Sequence, residues 1–213
     1  MLKTIVGIGV VLLGVLHFQN ATAQNFSANL GWNSEYIYRG IPQKTSSAFG
    51  GVDMTAGGFY LGGWVADVGN GVEIDYYGGY TFELGDFGFG VGATYYTYSA
   101  DFDDTYLEAN LSVSWKWLTF DTAFGEYDNF ARPVQQYQFY SLTLAHNGFY
   151  GKFGFFEDEF DGEYFEAGYG DTLTVSDTDL FDYSFSIVHS NDVLLGGESD
   201  TNIVFSVSKT FNF

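Results

Sequence analysis

The chain contains no cysteine, only two prolines, and seven basic residues against 27 acidic ones. Without cysteine, an exported product cannot rest on a disulfide framework. Both prolines, Pro42 and Pro133, fall in segments read as loops, which leaves the rest free to pair as strands. The scarcity of base gives a formal charge of −20. Nucleic acid needs a basic face to meet its phosphates, so it is excluded as a partner, as is simple adsorption to an anionic membrane surface. Long apolar runs are missing too. The longest, Ile5 to Leu16, is about 12 residues and too short to span a bilayer as a helix. What is abundant is aromatic side chains, at 21%, and glycine, at 28 residues. That aromatic content excludes the disorder that acidity alone would suggest.

Residues 1–23 read as a targeting segment. Lys3 is the charged start, an apolar stretch follows, and Ala21-Thr22-Ala23 is a small-x-small cleavage site, so the mature chain is expected to begin at Gln24. Removing Lys3 takes the charge to −21 (6 − 27). Residues 24–213 are one domain's worth of chain.

The final stretch, Asn202 to Phe213, sets the pattern for the rest. Ile203, Phe205, Val207, Phe211 and Phe213 share one face at period two, and Ser206, Ser208, Thr210 and Asn212 share the other. Lys209 alone breaks the apolar phase, where it must snorkel toward headgroups or bend the strand. The same alternation predicts about twelve strands and no helix. The expected starts are Phe26, Ala48, Phe59, Val72, Phe87, Tyr106, Leu118, Gln136, Phe149, Glu163, Leu180 and Thr201. At ~3.3 Å per residue and a tilt near 40°, ten residues rise about 25 Å, the height of an outer-membrane apolar band.

Turn residues fix the registers. A turn at Gly85-Asp86 pairs Phe82 with Phe89, Tyr80 with Val91 and Tyr76 with Tyr95 on one face, and Gly79 with Gly92 on the other. Asn147-Gly148 pairs Leu142 with Phe153, and Gly57-Gly58 pairs Met54 with Leu61. Lys116-Trp117 pairs Trp115 with Leu118, although neither is a turn-forming residue. Longer connections are expected at Arg39 to Ser47, Ser99 to Thr105, Tyr127 to Gln135, Glu157 to Gly162 and Ser190 to Asp200, with a looser turn near Ser176 to Asp179. Short turns at one end and long loops at the other are the outer-membrane arrangement, with the short turns periplasmic. A soluble β-sandwich also alternates apolar and polar positions. Three features favour the closed antiparallel transmembrane β-barrel: aromatics at strand ends, uniform strand length, and alternation that runs to the last residue.

Ser34-Glu35-Tyr36-Ile37-Tyr38-Arg39-Gly40, then Gly58 to Trp64 (GFYLGGW), then Glu73 to Tyr80 (EIDYYGGY) resemble three signatures of one family. It is the TorF family of proposed porins, also described as the conserved-hypothetical family Gcw_chp. The resemblance covers the first third of the mature chain. It implies an outer-membrane barrel with a pore, and it brings no catalytic residue with it.

With the apolar phase toward lipid, the other phase faces the bore. The candidate pore-lining residues are Glu35, Arg39, Asp53, Glu73, Asp75, Glu108, Lys152 and Glu166, with Glu83, Asp121 and Asp182 in the same phase. Acid exceeds base, so most of these carboxylates must find water or lie in a plugged network. Arg39 either lines a constriction or anchors a loop by holding carboxylates on neighbouring strands. Inward glycines either widen the bore or let an aromatic ring lie over bare backbone. The acidic loops Ala100 to Asp104 and Glu157 to Gly162 lack the spacing of a calcium loop. The sequence carries no metal cluster, no phosphate-binding loop and no cofactor motif. His146 and His189 fall near opposite rims, and adjacent His189 and Ser190 point to opposite faces, so no catalytic site is expected.

These readings converge on a channel for small hydrophilic solutes or ions, with cations preferred. Its partners are outer-membrane lipid, lipopolysaccharide and, through the last strand, the barrel-assembly machinery. A filled barrel acting through its acidic loops as a structural or surface-binding module is the alternative.

Overall fold

The computed structural model describes residues 24–213, and the targeting segment expected at 1–23 lies outside the described residues. Twelve strands form one closed antiparallel barrel in chain order, with the last strand paired to the first. They are β1 (Asn25–Tyr38), β2 (Ile41–Ala56), β3 (Phe59–Gly69), β4 (Gly71–Leu84), β5 (Phe87–Tyr98) and β6 (Tyr106–Trp115). The second half comprises β7 (Leu118–Tyr127), β8 (Gln135–His146), β9 (Phe149–Asp158), β10 (Gly162–Val175), β11 (Thr178–Ser190) and β12 (Asp200–Asn212).

The registers follow from the turns as expected. Phe82 faces Phe89, Gly79 faces Gly92, Leu142 faces Phe153, Met54 faces Leu61 and Gly51 faces Trp64. The turn with no turn-forming residue also holds, because Lys116 itself takes the left-handed conformation (φ 56°). The chain closes where Phe213 N donates to Phe26 O at 2.9 Å, one bond beyond the Ser27–Asn212 pair. Lys209 Nζ donates to the Asp179 carbonyl at the start of β11 at 2.6 Å. Deleting Phe213 removes the outermost closing bond and an exposed aromatic. The expected outcome is less heat-modifiable, membrane-integrated protein on a gel, and an unchanged folded fraction would contradict it.

Three expectations are corrected. The turn near Ser176 is as tight as the others, with Val175 facing Thr178 and both Ser176 and Asp177 left-handed. The connection from Ser190 to Asp200 holds a one-turn helix, α1 (Asp192–Leu195), capped by Asn191. The third correction matters most. No long loop runs from Arg39 to Ser47. β2 begins at Ile41, Tyr38 faces Ile41, and Arg39-Gly40 is a tight turn. The sequence hides this because Ile41 to Ser47 lacks alternation and includes Pro42. Proline is accommodated because this part of β2 is an edge that pairs only with β1.

The outer phase is a belt of exposed apolar side chains, among them Leu30 (64% exposed), Leu61 (59%), Phe165 (52%) and Ile203 (71%). The inner side combines buried polar and charged groups with two clusters of buried aromatic and apolar side chains. Such an outer belt exceeds anything a water-soluble monomer tolerates and matches the lipid face of a barrel.

Candidate functional site: a hairpin turned into the bore

β1 leaves the wall partway up. Its pairing with β12 runs from Ser27 to Asn33 and stops, although β12 continues to Asp200 beside β11. β2 likewise meets β3 only from Phe49 onward. Between those points the β1–β2 hairpin pairs with itself alone, with one bulge between Tyr36 and Ile37. Side chains replace the lost ladder at both edges. Ser34 Oγ accepts from Phe205 N at 2.8 Å, and Ser47 Oγ donates to the Asp67 carbonyl at 2.7 Å. Lys44 pairs with Asp67 at the same rim.

The freed hairpin crosses the mouth. Ser190 Oγ, on β11, donates to Gly40 O at 2.6 Å, while Arg39 reaches β6 on the opposite side of the barrel. Gly40 is left-handed (φ 82°), and a Cβ there would lie 2.6 Å from that of Tyr164, so the tip needs glycine for both conformation and approach. The hairpin buries both faces. On one side Ile37 and Ile41 pack on a cluster of Tyr137, Phe139, Phe156, Tyr164 and Val188. On the other, Tyr36 joins Phe49, Trp64 and Val68, with Tyr38 beside it.

The anchor is Arg39. Its guanidinium donates twice to Glu108 on β6, Nη1 to Oε1 at 2.5 Å and Nη2 to Oε2 at 2.9 Å. It lies 4.1 Å from the centre of the Phe139 ring and 4.9 Å from that of Tyr38. Glu108 also accepts from Tyr137 Oη at 2.6 Å, Tyr96 Oη at 3.1 Å and Asn110 Nδ2 at 2.9 Å. Five donors on one carboxylate fix it as the ionised partner of a fork-to-fork pair. Solvent reaches 2% of the Arg39 side chain and none of that of Glu108.

The other candidates divide. Glu73 and Asp75 are buried on β4, facing the hairpin's second side, and Glu73 Oε1 accepts from Tyr36 Oη at 2.6 Å. Lys152 is buried on β9, directly opposite half-buried Glu166. Glu166 accepts from Tyr150 Oη at 2.5 Å, and Asp53 from Tyr77 Oη at 2.6 Å. Glu35 is not brought to this group. It accepts from Thr45 Oγ1 at an exposed pair nearer the hairpin's base, where Tyr36 turns inward instead. Sequence reasoning missed Tyr36, Tyr96, Tyr137 and Asn110, which hold the carboxylates. A signal was present: Tyr36-Ile37-Tyr38 and Ile41 are apolar or aromatic in both phases, as suits a strand with two buried faces.

Inward glycines serve the rings. Built Cβ atoms at Gly62, Gly125, Gly154 and Gly168 would lie 2.2–2.5 Å from atoms of Tyr77, Tyr137, Tyr164 and Tyr150 respectively. The loop acids are tied into the rim as well. Asp103 accepts from Tyr106 and Tyr127, each at 2.8 Å, and Glu159 accepts from Gln136 N. His146 lies at the short-turn end and His189, which faces Thr201, at the loop end, while Ser190 points inward to Gly40.

A family model for bacterial proteins of unknown function, Gcw_chp, matches residues 18–147. No curated protein matches the sequence. A barrel solved in work on the in-meso crystallization of membrane proteins shares the fold at a TM-score of 0.57 and 8% identity, covering 89% of this chain and 84% of that one. Pseudomonas aeruginosa OccK1 (OpdK) aligns at a TM-score of 0.44 and 11% identity over 82% of this chain. A BenF-like porin from Pseudomonas fluorescens Pf-5 aligns at 0.41 and 9% over 80% of this chain. The chain spans 59% of the length of OccK1 and 56% of that of the BenF-like porin.

Proposed function

The chain belongs to the Gcw_chp family, whose function is unknown, and we propose that it is a gated, porin-like channel of the Gram-negative outer membrane. The observation that carries this reading is the hairpin: a piece of wall, paired with nothing but itself, lies across the bore of a barrel with a lipid-type outer face. A folded-in segment held by two ion pairs, side-chain hydrogen bonds and packing can be displaced without breaking the barrel's own ladders. With the hairpin seated the mouth is shut, and with it displaced small hydrophilic solutes or ions pass. The TorF porin resemblance of the start motif goes with this proposal. So do cleavage of the targeting segment before Gln24, short turns toward the periplasm, contact with lipid and lipopolysaccharide, and assembly through the final strand.

Glu73, Asp75, Asp53 and Glu166 then line the opened path with Lys152 and, once unpaired, Arg39 and Glu108. The excess of acid raises local cation concentration and repels anions. The test is the zero-current potential across a bilayer in a salt gradient. Wild type should be cation-preferring during openings. The preference should fade as salt shortens the screening length from ~10 Å at 0.1 M to ~3 Å at 1 M. Glu73→Gln with Asp75→Gln should weaken the preference at low salt. An anion-preferring wild type, or an unchanged potential in the variant, would rule the carboxylates out. A second reading, a filled barrel that presents its loops, is favoured by the burial of both hairpin faces, and it expects no openings at all.

A further inference from the structure

Glu73 and Asp75 present a charge problem that the mouth does not solve. They stand two residues apart on the inward face of β4, so their backbones are about 7 Å apart. Glu73 is 2% exposed and Asp75 is fully buried. Tyr36 supplies Glu73 with one hydrogen bond, whereas neither carboxylate oxygen of Asp75 has any partner. Arg39, at the tip of the same hairpin, is paired with Glu108 instead. Among the described residues neither carboxylate takes part in an ion pair. Taking an unpaired carboxylate out of water costs several kcal/mol, and two of like sign two residues apart on one face cost more. The pair must be neutralised, either by a bound cation or by protons.

We propose that Glu73 and Asp75 form a binding site for a hard, oxygen-seeking divalent cation of the calcium class, enclosed between β4 and the inturned hairpin. The donor chemistry is all oxygen: two carboxylates beside the Tyr36 hydroxyl, in a chain without cysteine and with both described histidines at the rims. Soft-ligand metals are therefore disfavoured, and calcium tolerates the irregular, water-completed shell that such a site imposes. No group of three acidic or histidine ligands converges among the described residues. Two carboxylates plus water make a weak site, of about 10⁻⁴–10⁻³ M. Glu73 is tied to Tyr36, so an ion held here also holds the hairpin in its seat. The site does not depend on whether the bore conducts.

The experiment is calorimetric titration of calcium chloride into the refolded, full barrel in detergent, with no current measured. Wild type should bind one more calcium per barrel than Glu73→Gln/Asp75→Asn. A loop variant, Asp101→Asn/Asp158→Asn, should keep that site. The double variant removes charge at nearly constant shape and relieves like-charge repulsion, so it is expected to fold. Asp75→Asn alone serves if it does not, and should lose the same site. Calcium should also raise the unfolding midpoint of wild type more than that of the variant. Equal stoichiometry in wild type and variant, with no difference in the calcium response, would overturn the proposal and leave protons as the neutralising charge.

Discussion

Arg39→Ala is expected to lower barrel stability by about 3–5 kcal/mol, because it strands the Glu108 carboxylate in a site that solvent does not reach. Glu108→Ala should cost a similar amount by stranding the guanidinium. The pair is not stabilising in proportion to those losses, since desolvation offsets most of its attraction. Arg39→Met with Glu108→Leu, which removes both charges and keeps volume, should therefore recover most of the loss. The readout is the urea midpoint followed by tryptophan fluorescence. Trp64 packs 5.6 Å from Tyr36 and reports on the seated hairpin directly. If the double variant is as unstable as the sum of the two single ones, the pair is not acting as a coupled unit.

The second large effect is steric. Gly125 faces the bore on β7, and a Cβ there would fall 2.2 Å from the Tyr137 ring. Tyr137 cannot yield freely. It donates to Glu108, stacks on Phe160 at 4.6 Å and belongs to the cluster under the hairpin. Gly125→Ala should destabilise by about 1–3 kcal/mol, the usual range for overpacking. Tyr137→Phe keeps the ring and removes only the hydrogen bond, so combining it with Gly125→Ala should not rescue. Tyr137→Ala with Gly125→Ala should show strong coupling, because the clash disappears with the ring. Additive losses in that cycle would mean that the ring does not depend on bare backbone at Gly125.

How much of this was legible in the sequence depends on how local the cause was. Registers such as Phe82–Phe89 and Leu142–Phe153 are set by a two-residue turn and a period of two, so a short window contains everything needed. The Lys116-Trp117 turn was readable only through its flanking alternation. The hairpin was not readable in this way. Arg39 finds Glu108 across 69 residues of chain, and nothing near Arg39 names that partner. The Ile41 to Ser47 segment resembled a loop because it pairs on one edge and does not obey the inside–outside rule of the wall. Glu35 and Arg39, four residues apart, go to different surroundings, Arg39 to buried Glu108 and Glu35 to exposed Thr45, since phase loses its meaning where a strand bends out of the sheet. Glu73, Asp75 and Glu108 are buried in the structure. Their burial was not legible, because the excess of acid suggested water where the fold supplies tyrosine hydroxyls.

The central claim is that the β1–β2 hairpin closes a bore that would otherwise conduct. Its most direct test is single-channel recording of a barrel whose hairpin is cut back, with Glu35 and Thr45 joined by Asn-Gly, a tight turn that matches their pairing. The claim predicts discrete, long-lived openings in this variant under conditions where wild type is mostly closed. A cut-back barrel that is folded, heat-modifiable and electrically silent would contradict it.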